Sequence, residues 1–146
     1  MSGDATPEST TAGPRPVIVA PDGWVAPRGY SHGMVAAGRV ITIAGQVGWD
    51  PTTATFSSDD FAAQTAQALR NVVTVLRAAG AGPEHLVRLG WFVVDRGEYV
   101  AAREAIGRSY REIVGRYYPP MSVVFVSELL EPRARLEIEA TAVVPA

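Results

Sequence analysis

The sequence predicts an α+β fold, a single domain with one mixed β-sheet and two helices packed on one face. Three observations carry that expectation. Residues 135–143 alternate strictly, with Leu136, Ile138, Ala140 and Ala142 on one side and Glu137, Glu139, Thr141 and Val143 on the other, the period of a strand. Phe61, Ala68, Leu69, Val72, Val73 and Leu76 recur at helical spacing, which gives one apolar stripe. The segments run strand, strand, strand, helix, strand, helix, strand, strand, an order that segregates helices onto one side of a sheet. At 146 residues, 47% of them hydrophobic, the chain has material for one core.

Taken in order, residues 1–16 are rich in Ser, Thr, Gly, Ala and Pro. They bury too little apolar surface to offset ordering entropy and are expected to form a flexible arm, with the domain proper at 17–146. Residues 17–19 make a short strand. Pro21, Gly23, Pro27 and Gly29 mark a turn-rich passage ending at Tyr30. Residues 34–37 and 40–44 flank Gly38-Arg39 and read as a hairpin. Gly45 and Gly48 follow, where the backbone can pass close to a neighbour or a ligand. Asp59 and Asp60 place negative charge where a helix dipole favours it, and Gly80 and Gly82 end that helix. Residues 86–94 (LVRLGWFVV) are β-branched and aromatic, the composition of a central strand. Asp95 with Glu98 forms a capping pattern. It starts a second helix with Tyr99, Ala102, Ile106, Tyr110 and Ile113 on its stripe, ending near Gly115. Strands at 121–126 and 135–143 complete the chain.

A net charge of −2 provides no basic face for phosphates, which disfavours nucleic acid as a partner. Zero cysteines exclude disulfides and thiolate chemistry. Two histidines, His32 and His85, without ligand spacing, argue against a metal site, and no motif calls for a cofactor. No apolar run approaches the roughly 20 residues of a membrane span, and the first residues lack the charged start and apolar core of a secretory signal. A cytoplasmic protein without membrane partners is expected. Trp91 and Val93 fall on one face of the central strand, Phe92 and Val94 on the other. Two helices cover one face only, so another subunit is the expected cover for the second.

Six segments in one order carry a resemblance: Tyr30-Ser31-His32-Gly33, Ala44-Gly45-Gln46, the Gln64 to Asn71 helix, the strand ending at Asp95, Tyr118-Pro119-Pro120-Met121-Ser122, and Leu136-Glu137-Ile138-Glu139-Ala140. Together they resemble the RidA/YjgF/YER057c family of reactive enamine/imine deaminases over residues 27–144. The resemblance implies a chorismate-mutase-like, RidA-like fold, a homotrimer around a barrel-like centre, and small-molecule clefts between subunits. Family deaminases hold the substrate carboxylate with an arginine after Pro-Ala, for which the paired geometry of guanidinium is suited. Met121 stands there in this chain. Gly97 and Ala44 stand where the family has an asparagine and a serine. Tyr30, Gly45, Gln46 and Glu137 match.

Glu137 is therefore the candidate water-activating group, since a carboxylate in a partly dry cleft suits proton transfer near neutral pH. The competing role is an ion pair with Arg133 or Arg135. Tyr30 is the candidate hydrogen-bond donor to the substrate, and its competing role is a subunit contact. His32, Gly45, Gln46, Met121 and Ser122 are expected to line the binding cleft. Glu139 is expected at the rim and His85 in solvent, and Arg88 is a possible substitute cation. Methionine cannot pair with a carboxylate, and leaving one unpaired costs several kcal/mol. The usual 2-imino acid is thus an unexpected substrate. The expected function is hydrolysis or deamination of a small reactive enamine, imine or unsaturated carbonyl compound. The alternative is a non-catalytic trimer that binds a small ligand or a partner.

Overall fold

A computed structural model of the chain describes residues 14–146. The arm expected over 1–16 falls outside the described residues except for 14–16, which are irregular. The domain has six strands, β1 (Val17–Val19), β2 (Gly33–Val35), β3 (Arg39–Val47), β4 (Leu86–Val93), β5 (Met121–Phe125) and β6 (Leu136–Val144). Its helices are α1 (Phe61–Ala78), α2 (Arg96–Ala101) and α3 (Arg103–Ile113), and one 3-10 turn spans Pro83–His85.

The main sheet has the order β3-β6-β4-β5. It is mixed, because β4 and β5 run parallel while the β3/β6 and β4/β6 pairs are antiparallel. β6 lies inside it, and its alternation has a direct cause. Leu136, Ile138, Ala140 and Ala142 are buried beneath the helices together with Leu89, Trp91, Val93 and the α1 stripe Ala68, Leu69, Val72 and Leu76. The predicted α+β class and single-sided helix layer are those observed.

Three details differ from expectation. Residues 34–37 and 40–44 form no hairpin: β2 pairs with β1 in a separate two-stranded ribbon, while β3 pairs with β6. Local turn chemistry at Gly38-Arg39 loses to a nine-residue long-range pairing. The second helix is divided at Ala102, whose φ of −91° and ψ of 0° leave the helical region. Tyr99 thereby packs edge-on against Phe61 and Phe125, at 6.3 and 6.0 Å between ring centroids. Finally, the open face of the sheet is mixed rather than apolar. It exposes Val40 and Val124 beside Thr42, Arg88 and Glu139, with Phe92 half-buried.

The helix starts follow capping chemistry. Asp60 accepts the Ala63 N–H at 2.9 Å, and Asp95 accepts the Glu98 N–H at 2.8 Å, each satisfying a donor the helix leaves open. The Glu98 carboxylate does not turn back to complete a capping box. It receives Arg135 at 3.0 and 2.5 Å, tying α2 to the base of β6. Buried amides fix α1 in the same way. Gln64 donates to the Ser58 and Arg133 carbonyls and accepts from the Arg135 N–H. Asn71 donates to the Val47 and Trp49 carbonyls. Gly48 makes this approach possible, since a Cβ there would lie 2.5 Å from the Gln64 backbone.

Candidate functional site

The sheet distributes the candidate residues between two places. The first lies on the open face. The β3/β6 register shifts between Ile43 and Gln46, a bulge that re-aims the strand. Its Gly45 sits directly against Glu137: a Cβ at Gly45 would fall 1.9 Å from Glu137 Oε1 and 2.6 Å from Cδ. Glu137 is half-buried and level with Phe92 on β4. Its two basic neighbours in sequence are both engaged elsewhere. Arg133 binds Asp59 at 2.9 Å, and Arg135 binds Glu98, which raises the arginine's pKa through that hydrogen bond. Among the described residues, no ion pair reaches Glu137. Gln46 is half-buried and folds its amide back onto the Ala44 carbonyl at 3.1 Å. Glu139 lies over Gly90 and is exposed. Arg88 shares a hollow of about 220 Å³ with Thr42, Glu139 and Thr141. It pairs in register with Thr141, four residues along β6 from Glu137, roughly 13 Å of strand.

The second place is the approach to β5. Ser31 is buried, with its N–H donating to the Pro119 carbonyl at 3.4 Å and its hydroxyl to the Tyr118 carbonyl. This pins the Tyr30 loop beside the β5 entry. The Tyr30 ring is 41% exposed and meets His32 edge-on at 5.8 Å, and His32 meets Trp24 at 5.0 Å. His32 Nε2 lies 3.3 Å from the Val25 carbonyl. His85 is half-buried rather than solvated and accepts the Gly82 N–H through Nδ1 at 3.0 Å. Ser122 is exposed opposite Gly90.

Met121 lies on the other side of the sheet. It pairs with Leu89 and packs against the helix-side core, whereas Glu137 is level with Phe92, three residues further along β4 and on the opposite face. Within one chain, Met121 and Glu137 do not share a surface. Tyr30 is also remote from Glu137. Val124 marks the level of Phe92 and Glu137 on β5, and Tyr118 and Pro119 precede it by about five residues, roughly 16 Å of extended chain. The structure brings Gly45 to Glu137, and Gly29-Tyr30-Ser31 to Tyr118–Met121, but keeps the two groups apart.

The sequence reading missed a cavity. It occupies about 390 Å³ between α3 and the β4/β5 side of the sheet, and Gly29, Trp91, Tyr99, Tyr110, Tyr118, Met121 and Val123 are among its walls. Arg103 and Arg111 also line it. The signal lay in the Arg103, Gly107, Arg111 spacing, which puts two cations on one helical stripe with a gap between them.

The family model for endoribonuclease L-PSP matches residues 23–144. The chain belongs to that family, the RidA/YjgF group. It is 30% identical over 115 residues to protein DfrA of Myxococcus xanthus, covering 78% of this chain and 84% of that protein. It is 29% identical over 109 residues to human 2-iminobutanoate/2-iminopropanoate deaminase, covering 75% and 76%. A crystal structure of YyfB, a Rid-family protein of Yersinia pestis, superposes with a TM-score of 0.78 at 34% identity, over 88% of this chain and 98% of that one. The RidA-like α+β fold places Glu137 and Met121 on its β6 and β5. Among the described residues, no helix is long and apolar enough to cross a membrane.

Proposed function

We propose that this RidA-family chain hydrolyses a small reactive enamine, imine or unsaturated carbonyl compound, with Glu137 activating the water. One observation carries the reading. Glu137 is a half-buried carboxylate against the Gly45 backbone whose two neighbouring arginines are held by other acids, and among the described residues no ion pair engages it. The ion-pair role that competed for it is therefore already filled by Asp59 and Glu98.

For an imine, the water oxygen adds to the carbon as Glu137 takes one of its protons. The nitrogen gains protons, the C–N bond breaks, and ammonia and a carbonyl compound leave. Tyr30 donates a hydrogen bond to the substrate. The separation of Tyr30 from Glu137 within one chain supports a cleft completed by a second copy, as in a homotrimer, with His32, Gly45, Gln46 and Ser122 around it. Met121 supplies no charge, and Arg88 lies roughly 13 Å of strand away. The favoured substrate accordingly lacks a carboxylate.

The test uses imines generated in situ, from primary amines by an amine oxidase and from amino acids by an amino-acid oxidase, with ammonia release followed in each case. Accelerated hydrolysis of the amine-derived imines alone is expected. Robust hydrolysis of the amino-acid-derived imines would overturn the substrate assignment. A second reading, a trimer that binds a small ligand without turnover, is favoured by the helix-side cavity, which contains no carboxylate. Ligand binding there with no acceleration of any imine would select it.

A further inference from the structure

The charged residues on the open face of the main sheet are Arg88 on β4 and Glu137 and Glu139 on β6, and among the described residues none of them forms an ion pair. Glu137 is half-buried against Gly45, whereas Arg88 and Glu139 are exposed. Arg88 pairs in register with Thr141 and Glu139 with Gly90. The two are therefore diagonal neighbours, roughly 7–8 Å apart and within reach of long side chains. They nonetheless remain unpaired and border one hollow of about 220 Å³, together with Thr42 and Thr141. The missing side chain of Gly90 shapes this place: a Cβ there would lie 3.0 Å from Glu139 Cγ and Oε1, so the glutamate lies over the glycine.

The surface around this charged centre is apolar. Val40 on β3 is 62% exposed, Val124 on β5 is 44% exposed, and Phe92 on β4 is half-buried. Removing such groups from water favours association but carries no direction. The charges supply the direction. Any partner that covers this face takes Arg88 and Glu139 out of water, and an uncompensated buried charge is strongly destabilising. A fitting partner must therefore set an anion against Arg88 and a cation against Glu139. A second copy of the same face provides both, from the same two residues.

We propose that the open face docks onto another copy of this chain, with Arg88 paired to Glu139 of the partner subunit. The pairing deepens the reading of a cleft completed by a second copy and rests on it. Glu139 takes the arginine rather than Glu137, because Glu139 is exposed at the hollow that Arg88 borders, while Glu137 is level with Phe92, further along β4. The pair fixes the register between copies, since a displaced contact would set like charges together. Glu137 is thereby left free of a cation at the contact.

The experiment follows the mass of the full chain by sedimentation equilibrium over a range of concentrations. The unaltered chain is expected to assemble. Arg88→Glu and Glu139→Arg each set like charges against each other and should raise the dissociation constant by about a hundred-fold or more. The double reversal Arg88→Glu/Glu139→Arg should recover most of that loss. Far-UV circular dichroism should be the same in all four chains, because both side chains are exposed and unpaired within one chain. Single variants that keep the assembly, or a double variant that stays dissociated, would overturn the pairing alone and leave the cleft between copies standing. A monomeric unaltered chain would overturn both. A monomer that binds glycine, with binding lost in each single variant, would assign the two charges to a free zwitterion and overturn the proposal as well.

Discussion

Replacing Gly45 by Ala tests the link between the β3 bulge and the proposed catalytic carboxylate. The new methyl would stand 1.9 Å from Glu137 Oε1, and ordinary contact begins near 3.4 Å. The carboxylate must therefore retreat by about 1.5 Å, a shift large enough to cost on the order of 100-fold in rate when a reacting group is misplaced. The obstructed atoms, Oε1, Cδ and Cγ, all belong to the one Glu137 side chain, which must swing aside as a whole, and Gly45 is not in the left-handed region. Glycine in a strand also carries an entropic penalty of roughly 0.5–1 kcal/mol that alanine relieves. Stability should thus change by less than about 1 kcal/mol, or a few degrees in Tm. The assay pairs ammonia release from an amine-derived imine with a thermal melt. Turnover within about threefold of the unaltered chain would refute the reasoning, since the group said to position water would then tolerate displacement.

Gly48→Ala should behave in the opposite way. Its methyl meets the α1 backbone at Gln64 rather than a movable side chain, so a loss of about 1–3 kcal/mol is expected in denaturant unfolding. Alkaline pH should destabilise the domain. Burial pushes the Tyr110 and Tyr117 phenols above their ordinary value of 10.0, with Tyr118 and Tyr117 adding to the effect at Tyr110 and Glu84 at Tyr117. Both ionise more readily in the unfolded chain, so their stabilisation is complete below pH 10 and declines as pH rises above it. Tyr110→Phe should flatten that decline in melts across this range. Light scattering should return the mass of three chains, and a monomer would leave the proposed cleft without its second half.

How much of this was legible in the sequence depended on how local the cause was. The β6 alternation reports burial on one face, and the α1 stripe reports packing on the sheet; both were readable because each residue's period encodes its surroundings. Asp95 was readable as a cap because its partner lies three residues away, whereas Asp60, expected as charge within the first turn, caps α1 from just outside it. The β1/β2 ribbon was not readable, because Val40 to Ile43 choose β6, about a hundred residues later, over their near neighbours. The division at Ala102 has no Gly or Pro to announce it. At the site, Glu137 could be singled out from its strand face and the LEIEA pattern, but the two arginines excluded as its partners could be identified only once Asp59 and Glu98 were placed in space. The cavity that Arg103 and Arg111 border beneath α3 went unread in the sequence, because its walls come from four separate segments. Met121 and Glu137 are parity-opposed across β4, a relation that only the strand order reveals.

The central claim is that an uncommitted carboxylate at position 137 activates water. Glu137→Gln tests it most directly, because the amide keeps the size of the side chain and removes the base. With an imine the chain turns over, kcat should fall by about 10²–10⁴-fold while the affinity for an unreactive carbonyl analogue is kept. Unchanged turnover in that variant, or loss of binding with turnover per bound substrate intact, would contradict the account.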